Sequence, residues 1–166
     1  MEVGSERYDL TAETVSEFSD AVYRLALSYT GNREDAEDVC QEVFFRLFRK
    51  RPALESREHC RNWLLKAAAN CSKTLLTSAY RRRGIPLDSI AEQGAEDDYD
   101  DGTVLAAVAA LPPQQRLCIH LFYYEDLPIA EISRVTGLRV NTVKSHLQRA
   151  KEKLRESLKG EFDDVP

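Results

Sequence analysis

The chain has 166 residues, enough for one domain or two small ones, and carries a formal net charge of −5 at pH 7. Hydrophobic residues make up 43% of it, an ordinary value for a globular protein. No apolar run approaches the length of about 20 residues that spans a bilayer, and the opening MEVGSERYDL lacks the apolar core of a secretion signal. These features argue against a membrane or secreted protein and predict a cytoplasmic one.

The sequence lacks the common signatures of enzymes and metalloproteins. None of the four cysteines belongs to a CxxC pair or lies near a histidine at metal-ligand spacing. GxSxG, P-loop, glycine-rich dinucleotide and HExxH patterns do not occur. Cys40 and Cys71 occupy apolar positions of helical patterns, which favours small buried side chains over ligands or disulfides. We therefore predict no catalytic residues, no metal and no cofactor.

Charge divides the chain into segments. Bases outnumber acids in residues 16–83 and again in residues 103–160, whereas residues 84–102 contain many acids and no base. That acidic strip has three glycines, a proline and no helical period, which indicates a linker. A solvated tether is favoured, although the strip could instead mimic DNA and shield a basic face until a partner displaces it. The predicted domains are residues 1–83 and 103–166.

Apolar residues of the first block recur at the three- and four-residue steps of amphipathic helices. Gly31 suits the end of the first helix and Asn32 the cap of the second; Pro52 stops the second, and Ser56 can cap a third that runs to about Arg83. The predicted core stripes are Val15, Phe18, Val22, Leu25 and Tyr29, then Ala36, Cys40, Val43 and Leu47, then Cys60, Leu64, Ala67, Cys71 and Leu75. Three helices around one core are the simplest arrangement.

The second block ends in a helix-turn-helix pattern. TVLAAVAAL predicts a helix ended by Pro112, and PQQRLCIHLFYYE predicts another with Pro113 in its first turn. PIAEISRVT, a turn at Gly137 and a basic amphipathic helix from about Arg139 complete the pattern. The predicted core positions of the last helix are Val140, Val143, Leu147, Ala150 and Leu154. The predicted fold class is all-α: two small helical domains joined by a flexible acidic linker, the second a helix-turn-helix domain.

The third helix of the first block carries a polar stripe without acids. Its members are Asn62, Lys66, Asn70, Lys73, Thr77 and Arg81, followed by Arg82 and Arg83. The stripe spans roughly 28 Å at 1.5 Å per residue. Solvated faces usually mix charges, so this stripe favours a polyanion backbone. The loop before it offers small polar groups that could read an unstacked base: Glu55, Ser56, Arg57, His59 and Asn62. We expect Trp63 to be a core residue rather than a stacking platform.

The second helix presents an acidic face, which should not contact DNA. It comprises Asp35, Asp38, Gln41, Glu42 and Phe45. An aromatic ring beside carboxylates and an amide on a rigid helix suggests a protein partner. Packing of Phe45 against the first helix explains the composition equally well.

The last helix turns polar side chains outward at Arg139, Asn141, Thr142, Lys144, Ser145, Gln148 and Arg149. Asn and Gln can bind adenine bidentately, Arg and Lys can bind guanine, and Thr can contact the thymine methyl group. The alternative is a surface helix of a small bundle. The preceding IAEISRVTGL favours a recognition helix that offers its first turns to a major groove.

These stretches together resemble the sigma factors of bacterial RNA polymerase, specifically the extracytoplasmic-function group of the sigma-70 family. DAEDVCQEVFFRLF is similar to the core-polymerase-binding helix of that family, and RNWLLKAAANCSKTLLTSAYRRR to its promoter-melting, minus-ten-reading helix. LPPQQRLCIHLFYYEDLPIAEISRVTGLRVNTVKSHLQRAKEKL is similar to its minus-thirty-five-reading domain. The resemblance covers about residues 12–160.

The resemblance implies a transcription initiation factor without chemistry of its own, acting in the cytoplasm on the nucleoid. Its partners would be the β and β′ subunits of core RNA polymerase, promoter DNA and, by family habit, an anti-sigma factor wedged between the two domains. The clamp helices of β′ would bind Asp35, Asp38, Gln41, Glu42 and Phe45. Minus-ten DNA would bind Ser56, Arg57, His59, Asn62, Lys66, Asn70, Lys73, Arg81, Arg82 and Arg83. Minus-thirty-five DNA would bind Arg139, Asn141, Thr142, Lys144, Ser145, His146, Gln148 and Arg149.

Three positions depart from the family pattern. Cys60 stands where the family often has Phe, His146 where it usually has Arg, and Arg139 where it often has a small capping residue. Two other functions stay open. One is a self-sufficient regulator that dimerises on palindromic DNA, and the other is a sigma-like adaptor that binds polymerase but blocks initiation.

Overall fold

The structure, a computed structural model, describes residues 9–85 and 104–162. Its helices are α1 (Ala12–Thr30), α2 (Arg33–Lys50), α3 (Arg57–Arg82), α4 (Val104–Ala109), α5 (Pro113–Ile119), α6 (Ile129–Thr136) and α7 (Val140–Phe162), with a π-helical turn (His120–Tyr124) after α5. No strand occurs in these two ranges. The all-α prediction is therefore confirmed. Most of the predicted linker, from residue 86 onward, lies outside the described residues.

Local sequence signals set the helix ends of the first block. Gly31 adopts a left-handed conformation with φ of 78°, which glycine tolerates at a helix C-terminus. The Asn32 side chain accepts a hydrogen bond from the Asp35 N–H at 2.9 Å, and Ser56 Oγ accepts one from the His59 N–H at 3.0 Å. Both caps satisfy N–H groups that a helix start would otherwise leave unpaired. The caps predicted at Asn32 and Ser56 are confirmed.

Helices α1, α2 and α3 pack on one another around a shared core. The buried stripe of α3 is wider than predicted: Leu65, Ala68 and Leu76 are buried, whereas Ala67 and Leu75 are only half-buried. Helix α3 contacts α6 as well as α1 and α2, so it buries side chains in more than one direction. The single stripe expected for α3 was therefore too narrow.

Helices α6 and α7 form the predicted helix-turn-helix, with Gly137 at φ of 77° between them. Val143, Leu147 and Ala150 are buried as expected. The prediction that Val140 belongs to the core was wrong, since its side chain is 40% exposed. Val140 is the first residue of α7, and helical Cβ atoms point toward the N-terminus, which carries this side chain past the core.

The helix predicted over residues 113–125 is interrupted. The Glu125 N–H donates to the His120 carbonyl at 3.1 Å, which spaces donor and acceptor by five residues instead of four. This π-helical turn rotates the exposed Tyr123 and Tyr124 away from the register of α5. The turn leads to Leu127, whose N–H donates to the Leu121 carbonyl at 3.0 Å.

The two blocks pack directly against each other. Helix α1 contacts α5, and α3 contacts α6, so one hydrophobic core runs through both blocks. The sequence did not predict this packing, and the domain boundaries 1–83 and 103–166 stay a prediction. None of the helices in the described ranges is long and apolar enough to cross a bilayer.

Candidate nucleic-acid and protein interfaces

The acidic face of α2 is displayed as predicted. Asp38, Gln41 and Glu42 are exposed, and Asp35 is half-buried because Asn32 Nδ2 donates to its Oδ2 at 2.8 Å. Glu42 accepts from Arg46 Nε at 2.7 Å, one helical turn away. The face is therefore a rigid row of carboxylates and one amide on a capped helix.

Phe45 lies in this face with 58% of its surface exposed. The guanidinium carbon of Arg49 sits 5.3 Å from the ring centroid, a cation–π contact within the same helix. The ring is therefore not buried against α1, as the competing explanation required. An exposed ring of this size beside carboxylates has the composition of a protein-binding surface.

The polar stripe of α3 is also displayed. Lys66, Asn70 and Lys73 are exposed, and the residues that close the stripe, Arg81, Arg82 and Arg83, are exposed as well. Asn62 differs: it is half-buried, and its Oδ1 is buried without a hydrogen-bond partner in the structure. The stripe therefore offers charge along its length, while the Asn62 side chain at its start must move before its Oδ1 can accept a hydrogen bond from DNA.

In the loop before α3, some side chains make contacts within the protein and others are exposed to solvent. The Ser56 hydroxyl caps α3, and Arg57 pairs with Glu17 of α1 and lies 5.4 Å over the Phe18 ring. The exposed His59 accepts the Glu55 N–H at Nδ1, 3.2 Å away, so its neutral imidazole carries the proton on the outward Nε2. Among the loop residues predicted to read a base, His59 is exposed and can donate a hydrogen bond from Nε2.

The recognition helix α7 places its polar residues together at its N-terminal end. Six are exposed and two are half-buried, the exposed ones being Arg139, Asn141, Lys144, Ser145, Gln148 and Arg149, and the others Thr142 and His146. Gln148 Nε2 donates to Glu152 Oε1 at 3.2 Å, which leaves the amide oxygen and a second N–H for a base edge. This geometry suits direct reading of a major groove.

His146 is partly buried, and its Nδ1 has no hydrogen-bond partner in the structure. Burial, and then the nearby Arg149, hold the pKa of the His146 imidazole below its ordinary value. The imidazole is therefore neutral in the folded protein at neutral pH. His146 stands where the sigma family usually has arginine, and it supplies a partly buried neutral ring rather than a fixed charge.

We expect His146 to make the protein less stable in acid. Because the folded pKa is lowered, the unfolded chain binds the proton more readily, and stability falls as the pH drops below about 6.5. Replacing His146→Gln should flatten this part of the pH dependence, measured by urea unfolding between pH 7.5 and 5. The exposed His59→Gln is the control, and an equal flattening there would contradict the assignment to His146.

The environments of Cys40 and Cys60 make their thiols unreactive. Burial raises the pKa of the Cys60 thiol and of the Cys40 thiol to about 11 each, with smaller contributions from Glu17 and Glu37. Both thiols are thus protonated at neutral pH and poor nucleophiles. Cys71 is buried as predicted, but Cys40 is only half-buried. Residues 9–85 and 104–162 hold no cluster of His, Cys, Asp and Glu suited to a metal ion.

Sequence reasoning missed three polar residues that join the two blocks. Arg116 is 3% exposed and reaches α1, while Arg61 of α3 pairs with Glu125 after the π-helical turn, with 2.5 Å between Nη2 and Oε2. No local signal marked Arg116 as buried, since it follows Gln114 and Gln115 in a stretch that is already polar. The pairing of Arg61 with Glu125 had no local signal.

The fold and these faces define a class of protein. A helix-turn-helix with an exposed basic helix, a second acid-free stripe and a separate acidic face with an exposed aromatic ring together indicate a DNA-binding transcription factor that acts with a protein partner.

Comparisons with known proteins identify the family. The model described as Sigma-70 region 2 matches residues 14–82, and that of Sigma-70, region 4 matches residues 102–154. RNA polymerase sigma factor SigV of Bacillus subtilis is 30% identical over 148 residues, which cover 88% of this chain and 89% of that relative. ECF RNA polymerase sigma factor SigE of Mycolicibacterium smegmatis is 34% identical over 160 residues, and the match covers 88% of this chain and 60% of that relative.

A solved structure shares the fold. The sigma factor RpoE of Bartonella quintana, crystallised with the anti-sigma factor NepR, superposes with a TM-score of 0.70 at 22% identity, covering 89% of this chain and 95% of that chain. The chain belongs to the sigma-70 family, in its extracytoplasmic-function group. It is an RNA polymerase sigma factor, and the resemblance inferred from the sequence is confirmed.

Proposed function

We propose that the chain binds core RNA polymerase through the α2 face, with Asp35, Asp38, Gln41, Glu42 and Phe45 against the clamp helices of β′. The observation that carries this assignment is the exposed Phe45 ring among carboxylates on a capped, rigid helix. A cationic helix with an apolar patch would complement such a surface. The second block would contact the β subunit.

Promoter reading would be shared between two helices. His59, Asn62 and the α3 stripe would hold the opened minus-ten strand, and the exposed polar residues at the start of α7 would read the minus-thirty-five element. Ser56 and Arg57 would contribute to the same strand contact, with Ser56 also capping α3 and Arg57 also paired with Glu17. Unstacking bases costs a few kcal/mol per step, which polymerase contacts would offset.

The role needs no chemistry by the chain itself, because polymerase supplies the catalysis. The protein would act in the cytoplasm on the nucleoid. We also propose an anti-sigma factor as its inhibitor, supported by the shared fold with a sigma factor crystallised with such a partner.

Binding to core polymerase without DNA tests the proposed function. Gln41→Lys should weaken binding at least tenfold, about 1.4 kcal/mol, because it places a cation against a cationic partner helix. Fluorescence anisotropy of labelled protein against purified core polymerase measures the change in affinity.

Ser157→Lys is the matched control, since it adds the same charge at an exposed position of α7. Equal affinities of wild type and Gln41→Lys would refute the α2 face but keep the sigma role. No binding by the wild type would refute the role and favour a self-sufficient regulator. Tight binding without promoter opening would indicate an inhibitory adaptor.

A further inference from the structure

Two hydrogen bonds on the exposed side of α7 engage donor groups that would otherwise be available to DNA. Ser145 Oγ donates to the Asn141 carbonyl at 3.0 Å, and Gln148 Nε2 donates to Glu152 Oε1 at 3.2 Å. The Ser145 hydroxyl has a single proton, so only its lone pairs stay available. Because Gln148 turns its Nε2 toward Glu152, its Oε1 projects from the other side of the amide group.

The acceptors that remain form one continuous surface. Ser145, Gln148 and Glu152 follow one another at steps of three and four residues, which places them on one side of a helix. All three are exposed, and together with Lys144 and Arg149 they line a shallow depression. From Ser145 to Glu152 the surface extends roughly 10 Å, the length of about three base-pair steps. We call Ser145, Gln148 and Glu152 the acceptor face.

Glu152 is an unexpected residue for a surface that contacts DNA. It is the first acid of α7, since residues 140–151 contain none. A carboxylate repels the phosphate backbone and so lowers the affinity for every DNA sequence. The same group accepts a hydrogen bond from a base amino group, as Glu does from cytosine N4. Glu152 therefore disfavours general DNA binding and favours one kind of base edge.

The orientation of the Gln148 amide decides which base groups it can bind. With its oxygen outward, the amide accepts from adenine N6 or cytosine N4, whereas with its nitrogen outward it donates to guanine O6 or thymine O4. The second orientation would place Oε1 against the Glu152 carboxylate and would lose the hydrogen bond between the two side chains. Glu152 therefore disfavours the amide orientation that suits base keto groups.

We propose that the acceptor face selects exocyclic amino groups of adenine or cytosine in the major groove, and that Glu152 is the positioning residue that sets this preference through Gln148. The inference deepens the proposed reading of the minus-thirty-five element by α7 and rests on it. Lys144 and Arg149, which line the same depression, would hold phosphates while the acceptor face contacts base edges.

Bases without the amino group test the proposal in reconstituted holoenzyme. A duplex library that is randomised at the minus-thirty-five element is first selected with the wild-type holoenzyme. In the selected duplex, each adenine is replaced in turn by purine and each cytosine by its pyrimidinone analogue, so that only the exocyclic amino group is lost. Fluorescence anisotropy of the labelled duplexes measures the affinity of holoenzyme that contains wild type, Ser145→Ala, Gln148→Ala or Glu152→Gln.

We expect at least one amino deletion to weaken wild-type binding about tenfold, which is within the range of a good base contact. Sensitivity to purine would identify adenine as the base, and sensitivity to pyrimidinone would identify cytosine. Glu152→Gln should reduce the loss to about threefold or less, because the new amide can donate to Gln148 as readily as it accepts. The matched control Glu156→Gln removes the same charge one turn farther along α7 and should keep the full loss.

An exchange of the two side chains distinguishes positioning from a general structural role. In the double variant Q148E/E152Q, the carboxylate and the amide change places. A carboxylate at position 148 has acceptors only, so the sensitivity to the amino deletion should return to about tenfold. A purely structural role of Glu152 would leave the double variant as insensitive as Glu152→Gln.

The remaining outcomes separate this inference from the proposed function. Equal sensitivity of wild type and Glu152→Gln to every amino deletion would overturn the role of Glu152. A wild type that tolerates all the deletions but is weakened by Gln148→Ala would overturn the acceptor face and keep α7 as the reading helix. If Ser145→Ala and Gln148→Ala also leave the affinity for the selected duplex unchanged, the proposed reading of DNA by this part of α7 fails as well.

Discussion

Replacing Arg116→Met is expected to lower the free energy of unfolding by about 3 kcal/mol. Methionine has similar volume and keeps the cavity filled, but it cannot donate to the carbonyls of Ser28, Tyr29 and Leu111. Buried acceptors that are deprived of a charged donor keep their desolvation penalty. Urea unfolding followed by circular dichroism measures the destabilisation.

Two further variants test whether the buried guanidinium group is responsible for the loss of stability. Arg116→Lys keeps the charge but lacks the planar fork that reaches three carbonyls, so it should recover only part of the stability. Arg134→Met removes an exposed guanidinium, paired with Glu131 at 2.6 Å, and should cost well under 1 kcal/mol. If Arg116→Met costs no more than Arg134→Met, the hydrogen bonds of the Arg116 guanidinium contribute nothing measurable to stability.

Helix ends were predictable because their chemistry is local. The caps at Asn32 and Ser56 and the left-handed glycines at positions 31 and 137 use groups within a few residues of one another. A single stretch of sequence therefore contains both partners of each interaction. The same holds for the polar faces of α2 and α7, whose exposure follows from helical period alone.

Interactions between distant segments were not predictable in this way. The carbonyl partners of Arg116 on α1 lie 87 and 88 residues away in the chain, and Glu125 lies 64 residues from Arg61. Nothing in residues 113–125 marks the extra residue of the π-helical turn, since neither glycine nor proline interrupts it. The broad buried surface of α3 likewise depends on α6, which the pattern of α3 cannot reveal.

The candidate base-reading loop also contains both local features that were predictable and a distant contact that was not. His59 is displayed as expected, but Arg57 is held by Glu17, 40 residues earlier, and by the Phe18 ring. Residue type and loop position suggested a DNA contact for Arg57, which stays a prediction, whereas its attachment to α1 had no signal in the sequence.

Reversing two charges on the recognition helix should nearly abolish promoter binding. Lys144→Glu with Arg149→Glu replaces two exposed cations at the reading end of α7 with two acids. Each such side chain contributes about 1–3 kcal/mol to DNA binding, so the affinity of reconstituted holoenzyme should fall at least about 30-fold. The target is a genomic DNA fragment selected with the wild-type holoenzyme, and core polymerase binding without DNA should not change.

The double variant Lys153→Glu with Arg155→Glu makes the same charge change farther along the same helix, at exposed positions outside the proposed reading segment. It should retain most of the affinity. If Lys144 and Arg149 bind phosphates, the salt dependence of binding should also flatten in the first variant, by about 0.9 in logarithmic slope for each phosphate that is no longer neutralised. Equal reductions in both doubles would mean that net charge governs DNA binding. A reduction confined to the Lys144 and Arg149 variant would place DNA recognition on the polar face at the start of α7. The position of these cations would then matter more for DNA binding than the net negative charge of the whole protein.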